Sequence, residues 1–179
     1  MRLPPSPTVK ICAFFFATLL LCSIRALTLD EIESTPNLTP ERFAHYFSHF
    51  EFKFHSEIQS PETFLSTESG DCDDYAILAS QVLRKHGYSP RLIAVRMPKI
   101  VHVVCYIPEE NGYLDYNARA SATGVVQSGS TVAEVARSVA KSYGAKWSSA
   151  SEFTFEQGTK RLVQTVLEGR EKQLASAGR

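Results

Sequence analysis

Three residues of this chain could do chemistry together, in the order cysteine, histidine, aspartate. Cys72 lies in the sequence Gly-Asp-Cys-Asp-Asp-Tyr-Ala, directly before an apolar-periodic segment over residues 77–86. The capping carboxylate of Asp71 and the apolar spacing after it predict that Cys72 lies in the first turn of a buried helix. Unpaired backbone N–H groups of such a turn stabilise a thiolate and the oxyanion formed when sulfur attacks a carbonyl. We therefore interpret Cys72 as a nucleophile.

The surroundings of this thiol call for a cationic partner. Three aspartates crowd the sulfur, and their negative charge opposes formation of the thiolate. His102 lies in the strand-like run Val-His-Val-Val-Cys-Tyr, and Asp115 lies in the next β-rich run, Tyr-Leu-Asp-Tyr-Asn. A histidine on one strand and a carboxylate on the next favour a cysteine–histidine ion pair, in which the acid fixes the tautomer of the imidazole.

Taken together, the three motifs resemble the transglutaminase-like superfamily of papain-type cysteine enzymes, and its compact bacterial members in particular. The resemblance covers residues 60–117. It implies an α+β fold in which the nucleophile helix packs on a small antiparallel sheet, with N- and C-terminal helices. It further implies that Cys72 is the nucleophile, that His102 is the general base and acid, and that Asp115 orients His102. The calcium sites of larger animal members have no counterpart in this sequence.

The N-terminus has the pattern of an export signal. Arg2 and Lys10 are basic, and residues 11–24 form an unbroken apolar run. Because a bilayer span needs about 20 apolar residues, this run suits a signal peptide better than a membrane helix. We expect cleavage after Ala26 and a periplasmic or extracellular protein, with an uncleaved membrane anchor as the alternative.

Residues 27–179 are expected to form a single domain, with a core at about 40–120 and a helical extension at about 121–179. This segment retains Cys72 and Cys105, which do not make a disulfide framework. Its charge gives no argument for nucleic acid or an anionic membrane surface as partner, because the whole chain has 19 basic and 19 acidic residues. The membrane is expected to matter only through an uncleaved signal.

Three successive β-rich runs, at about 91–97, 101–106 and 113–117, predict an antiparallel meander covered by the nucleophile helix. Alternation along the second strand places His102 and Cys105 on opposite faces. His102 and Asp115 can share a face only if the register pairs even-numbered residues with odd-numbered ones.

Helices are predicted on both sides of this region. Thr39-Pro40 is typical of a helix start and precedes an aromatic stripe. A second apolar stripe over residues 132–143 ends at Gly144. The segment from Glu156 to Ala175 mixes apolar and charged residues in a pattern that we interpret as an amphipathic helix. The aromatic stripe consists of Phe43, Tyr46, Phe47 and Phe50.

Two metal readings are disfavoured, and no cofactor is expected. A zinc site at Cys72, His102 and Cys105 lacks a fourth ligand, and strand residues three apart face opposite ways. The acidic run of Asp71, Asp73 and Asp74 lacks the glycine and the distal glutamate of a calcium loop, so electrostatics at the helix start is the preferred account.

The sequence thus predicts an exported cysteine enzyme that acts on amide bonds of a protein or peptide through a thioester. Hydrolysis is favoured because bulk water competes at a small, open site. Two alternatives stay open. The first is a crosslinking transglutaminase with a lysine-type amine as acceptor, and the second is a binding or assembly module that has the fold with little turnover.

Overall fold

The structure is a computed structural model that describes residues 27–169. The predicted signal peptide and its cleavage site lie outside the described residues. The described helices are α1 (Leu29–Glu33), α2 (Pro40–Tyr46), α3 (Pro61–Thr67), α4 (Cys72–Lys85) and α5 (Val132–Ser142). The described strands are β1 (Glu51–Phe52), β2 (Ser69–Gly70), β3 (Arg91–Arg96), β4 (Val101–Ile107), β5 (Gly112–Leu114), β6 (Val125–Gln127), β7 (Ser149–Glu156) and β8 (Thr159–Leu167).

Six of these strands form one antiparallel sheet in the order β6-β5-β4-β3-β7-β8. The strands β3, β4 and β5 are consecutive neighbours, so the predicted meander is confirmed. β1 and β2 form a separate parallel pair just before α4. A helix that packs on an antiparallel sheet confirms the predicted α+β class.

The sheet separates two hydrophobic clusters, which we call the α4 face and the α5 face. The α4 face joins buried residues of α2, α3 and α4 to every second residue of the strands, and it is rich in aromatic rings. Its fully buried rings are Phe43, Phe47, Phe50, Phe64, Tyr75 and Tyr116. The α5 face packs the small aliphatic side of α5 and Trp147 on the other side of the sheet.

Helix α4 starts and ends with the signals that the sequence contains. The side chain of Asp71 caps the first turn, and the carboxylate of Asp74 accepts the N–H of Asp71 in return. This reciprocal capping box satisfies donors that the helix itself leaves unpaired. The helix ends at Lys85 with His86 as C-cap, and Gly87 follows in the left-handed region at φ +87°.

The prediction of a helix from Glu156 to Ala175 is wrong over residues 156–169, and with it the prediction of a wholly helical extension. The last residues of the predicted helix lie outside the described part of the chain. β7 and β8 form a hairpin whose two turn residues, Gln157 and Gly158, have φ values of 50° and 73°. Positive φ at both positions is the geometry of the tightest hairpin turns. A register shift beside Glu152 leaves Val163 as an extra residue in β8, so Leu162 and Val163 are adjacent apolar residues that break strict alternation. The resulting apolar spacing imitates that of a helix.

The aromatic stripe lies in the core as expected, although helix α2 ends before the stripe does. Phe47 is the C-cap of α2, and Phe50 follows after a turn, yet both side chains are buried. The side chain of Arg119 holds this turn, because its guanidinium donates to the carbonyls of Phe47 and Phe50. Among residues 27–169, no helix combines the length and apolar character needed to cross a bilayer.

Candidate active site

Cys72 is the first residue of α4 and is half-buried. A thiol at this position lies beside first-turn N–H groups that point out of the helix, as the sequence predicted. The segment before it is held in place, since β2 pairs with β1 and the N–H of His55 donates to Asp71 at 3.1 Å. The sulfur is therefore presented from a fixed helix start.

His102 and Asp115 meet in the way that the predicted register requires. Cys105 pairs with Leu114 and Tyr106 pairs with Tyr113, so even-numbered residues of β4 face odd-numbered residues of β5. Asp115 directly follows β5, which makes it a diagonal neighbour of His102. The Nε2 atom of His102 lies 2.9 Å from Oδ1 of Asp115.

Both members of this pair are buried, with 3% exposure for His102 and 4% for Asp115. Asp115 also caps the short 3₁₀ helix that follows it, and its Oδ1 accepts the N–H of Asn117 at 2.8 Å. The carboxylate is thus held by its own backbone. An ionised carboxylate accepts hydrogen bonds but has no proton to donate. The nitrogen that faces it, Nε2, therefore carries a proton.

Cys72 completes the group from the neighbouring helix. Burial lowers the pKa of His102, but hydrogen bonds with Asp115 and with Cys72, together with their charges, outweigh burial and raise it to about 9. The imidazole is therefore mostly charged at neutral pH. The structure thus brings Cys72, His102 and Asp115 together. The imidazole of His102 is the cationic group beside Cys72.

The acidic run at the start of α4 has structural partners. Asp71 accepts backbone N–H groups of His55 and Asp73, and Asp74 accepts the backbone and side-chain N–H groups of Gln59. Burial, followed by a hydrogen bond with Asp71 and by the charges of its neighbours, raises the pKa of Asp73 to about 8. Asp73 is therefore largely neutral at neutral pH, which removes one negative charge from the vicinity of Cys72.

A metal site is an alternative interpretation of these three aspartates. One ligand atom from each of the three aspartates lies within 4.8 Å of the others. The hydrogen bonds of Asp71 and Asp74 explain their positions through the capping of α4 and the anchoring of residues 55–59. The contacts in the described part of the chain therefore agree with helix-start electrostatics.

Cys105 lies on the opposite side of β4 from His102 and is fully buried in the α4 face. Burial raises the pKa of its thiol well above the usual range. This agrees with the interpretation of Cys105 as a small apolar core residue and not as a metal ligand.

The sequence analysis missed two residues that contact the site. Tyr143, which was assigned to the apolar stripe of α5, places its hydroxyl 3.2 Å from Nδ1 of His102. The side-chain amide of Asn117 donates to the same hydroxyl. The available signal was the position of Tyr143 directly before Gly144, where a helix ends and a side chain can leave the core. Periodicity alone does not reveal what such a side chain meets.

Exposed apolar side chains border the segments that carry Cys72 and His102. Phe52 pairs with Gly70, two residues before Cys72, and its side chain is 61% exposed. Phe54 is 76% exposed, and Ile100 and Val101 directly precede His102 with 42% and 43% exposure. Large apolar groups exposed near one site are a feature of surfaces that bind other molecules.

The fold places a thiol, an imidazole and a carboxylate close together, on a helix and on neighbouring segments of an antiparallel sheet. A family model described as "Transglutaminase-like domain" matches residues 31–119, about half of the chain. The chain therefore belongs to the transglutaminase-like superfamily, as the motifs predicted.

Comparison with solved structures gave matches that include calcium-bound LapG from Legionella pneumophila. The two chains are 16% identical, the match covers 84% of this chain and 85% of that one, and the TM-score is 0.46. Comparison with curated protein sequences gave no match.

Proposed function

We propose that this protein is an exported cysteine enzyme that cleaves amide bonds through a thioester, with hydrolysis as its main reaction. The observation that carries the proposal is the buried imidazole of His102, held by Asp115 and within hydrogen-bonding reach of a thiol at a helix start. A structural histidine in a core needs neither a thiol nor a carboxylate in these positions. The combination is that of an activated nucleophile with its oriented base.

In the first half-reaction, His102 holds the proton of Cys72, and the thiolate attacks the carbonyl carbon of the amide. The oxyanion that forms lies near the first-turn N–H groups of α4, which carry the positive end of the helix dipole. The imidazolium then donates its proton to the leaving amine, the C–N bond breaks, and a thioester of Cys72 remains. Asp115 stabilises the imidazolium throughout and keeps the ring oriented.

In the second half-reaction, an acceptor attacks the thioester carbonyl and gives its proton to His102. Water yields an acid and free thiol, whereas a lysine-type amine yields a crosslink. We favour water because the cleft that borders Asp115 and Tyr143 is small, with a volume of about 290 Å³, and open to solvent, so bulk water competes for the thioester. The alternative of a crosslinking enzyme differs only in this step.

The proposed substrate is a protein or peptide with apolar side chains beside the cleaved amide. Phe52 pairs with Gly70, two residues before Cys72, and Phe54 follows it in the chain. Val101 directly precedes His102, and all three side chains are exposed. These exposed side chains can bind apolar groups of an extended chain. If the N-terminal segment acts as a signal, proteins of the cell envelope are the substrates within reach.

Capture of the acyl intermediate tests the proposal. Purified wild type, Cys72→Ala and Cys105→Ala are incubated with envelope extract and analysed as intact proteins by mass spectrometry. We expect a hydroxylamine-sensitive adduct on wild type and on Cys105→Ala, and none on Cys72→Ala. If wild type carries no adduct under any condition, the protein is better described as a binding module that has kept the fold.

The same preparation is then used to determine whether water or an amine attacks the thioester. Peptides released from the extract are compared with and without an added primary amine. New carboxyl termini support hydrolysis, and incorporation of the amine in their place supports the crosslinking alternative. An excess of the amine product at low amine concentration would overturn the preference for water.

A further inference from the structure

Tyr143 reaches the candidate site from outside the segment that matches the family model. It is the C-cap of α5, and its ring lies 5.1 Å from the His102 ring, measured between centroids. Its hydroxyl lies 3.2 Å from Nδ1 of His102. The ring is 38% exposed, so this contact is not a consequence of core packing.

The two nitrogens of His102 have different partners. Nε2 faces Asp115, so its proton is engaged by the carboxylate. This leaves Nδ1 as the nitrogen that exchanges a proton with Cys72. Tyr143 contacts this same atom, so the hydroxyl and the thiol compete for one nitrogen.

The hydroxyl of Tyr143 can compete in both protonation states of the imidazole. Burial, followed by the charges of Asp115 and Cys72, raises the pKa of Tyr143 to about 12, so the phenol keeps its proton at neutral pH. Asn117 donates to the phenol oxygen, which leaves the phenol proton free to be donated to a neutral Nδ1. When Nδ1 is protonated, the same oxygen can accept from it in place of the sulfur.

We propose that Tyr143 is a positioning residue of the thiol site, whose hydroxyl binds Nδ1 of His102 in competition with Cys72 and so holds the imidazole of the resting enzyme. The inference rests on the proposed function, because it assigns a role relative to the Cys72–His102 pair. The leaving amine and the attacking water must also approach Nδ1, so the phenol has to give way during turnover. A cleft of about 290 Å³ borders Tyr143, Asn117 and Asp115 and gives the ring room to move.

The test compares the rate at which iodoacetamide alkylates Cys72 in wild type and Tyr143→Phe across the neutral and alkaline range. Loss of one ordinary hydrogen bond to Nδ1 is expected to speed alkylation near neutral pH by about fivefold and to shift the pH profile toward acid. The variant removes only the hydroxyl from a partly exposed ring. Thermal unfolding of each variant verifies that the fold is retained.

Tyr113→Phe is the matched control. Tyr113 also projects to the α5 face, but its hydroxyl bonds to Ser138 at 3.2 Å and not to His102. We expect the alkylation profile of this variant to equal that of wild type. The carboxyl groups beside the Cys72–His102 pair that could themselves shift the profile are Asp115 and, at the start of α4, Asp71, Asp73 and Asp74. All four are present in every variant compared.

The outcomes separate this inference from the proposed function. His102→Ala is included, and slower alkylation in this variant than in wild type supports the ion pair. If that difference is found and Tyr143→Phe reacts no faster than wild type, the role of Tyr143 is overturned and the proposed function stands. If wild type reacts no faster than His102→Ala, both are overturned.

Discussion

The two faces of the sheet differ in composition and in what they contribute to the candidate site. The α4 face is packed with aromatic rings, among them the stacked pair of Phe47 and Phe64 with centroids 5.6 Å apart. The α5 face is mainly aliphatic, and its buried aromatic residues are Tyr106, Tyr113 and Trp147. The helix on the first face carries Cys72, and the helix on the second face has as its C-cap Tyr143, which contacts His102.

His102 lies where these two faces meet. It shares its side of β4 with Val104, which belongs to the α5 face, yet it lies near the start of the strand and is within reach of Cys72 from α4. The segment that matches the family model ends at residue 119, before β6, α5, β7 and β8. The matched segment therefore contains Cys72 and His102, while Tyr143, whose hydroxyl contacts Nδ1 of His102, lies outside it.

The largest expected effect tests whether the two faces fold as one unit. Phe47→Ala and Trp147→Ala each remove a buried ring, from the α4 face and the α5 face respectively. Each should lower the free energy of unfolding by about 3–5 kcal/mol. Chemical denaturation followed by two probes should give one shared transition in both variants. Two separate transitions in Trp147→Ala would mean that the α5 face is an independent unit.

The next effect concerns the charge that holds the base. Asp115→Asn removes the carboxylate that helps to keep the pKa of His102 near 9, so the imidazolium should be lost at lower pH. We expect iodoacetamide to alkylate Cys72 about ten- to a hundredfold more slowly near neutral pH. Glu152→Gln is the control on the α5 face, where the carboxylate pairs with Arg91 at 2.7 Å. Equal rates in wild type and Asp115→Asn would contradict the assignment of Asp115.

A smaller effect, on the pH dependence of folding stability, is expected from a substitution at the start of α4. The pKa of Asp73 is raised in the folded protein from 3.8 to about 8, so folding takes up a proton between these values and stability falls as the pH rises through this window. Asp73→Asn keeps a donor toward Asp71 and removes the ionisation. It should therefore raise stability at alkaline pH by about 1–2 kcal/mol, a figure reduced because the partly exposed position is screened by solvent, with little change at acid pH.

This measurement is made by thermal unfolding in buffer with a chelator, so that divalent ions are not a variable. Asp30→Asn serves as the matched control, because Asp30 lies exposed in the first turn of α1. The difference in stability between Asp30→Asn and wild type is the baseline for the comparison. A stability gain from Asp73→Asn that is the same at acid and alkaline pH would show that Asp73 ionises normally.

The smallest expected loss of stability comes from substituting either of two glycines that have open space around them. Gly87 ends α4 at φ +87°, and Gly158 turns the β7–β8 hairpin at φ +73°, with nothing within 4 Å of a Cβ at either position. Substitution by alanine adds only backbone strain, so each variant should lose about 1 kcal/mol of stability. Equal losses, measured by denaturant unfolding, would show that the hairpin unfolds with the rest of the sheet. No loss in Gly158→Ala would place the hairpin outside the cooperative unit.

The residues that sequence reasoning located correctly are those whose position depends on local pattern. Cys72 follows from a capping signal and helical spacing, and the pairing of His102 with Asp115 follows from alternation and register. These features need only a few neighbouring residues to define them. The α+β class could be predicted for the same reason.

The features that it missed depend on contacts between distant segments. The hairpin of β7 and β8 was predicted as a helix because the extra residue Val163 disturbs the alternation of the strand. Tyr143 was assigned to a helix stripe because its contact with His102 spans 41 positions of the chain. No local spacing predicts which group a side chain at the end of a helix will meet.

The irregularity in β8 has a consequence for how copies of this protein behave beside one another. β8 forms one edge of the six-stranded sheet and exposes Leu162, Val163 and Leu167 to solvent. An edge strand that is long, flat and apolar can pair with strands of other molecules and lead to aggregation. We expect the bulge at Val163 to bend this edge and the charges of Lys160 and Arg161 to repel other copies, so that both hinder such pairing.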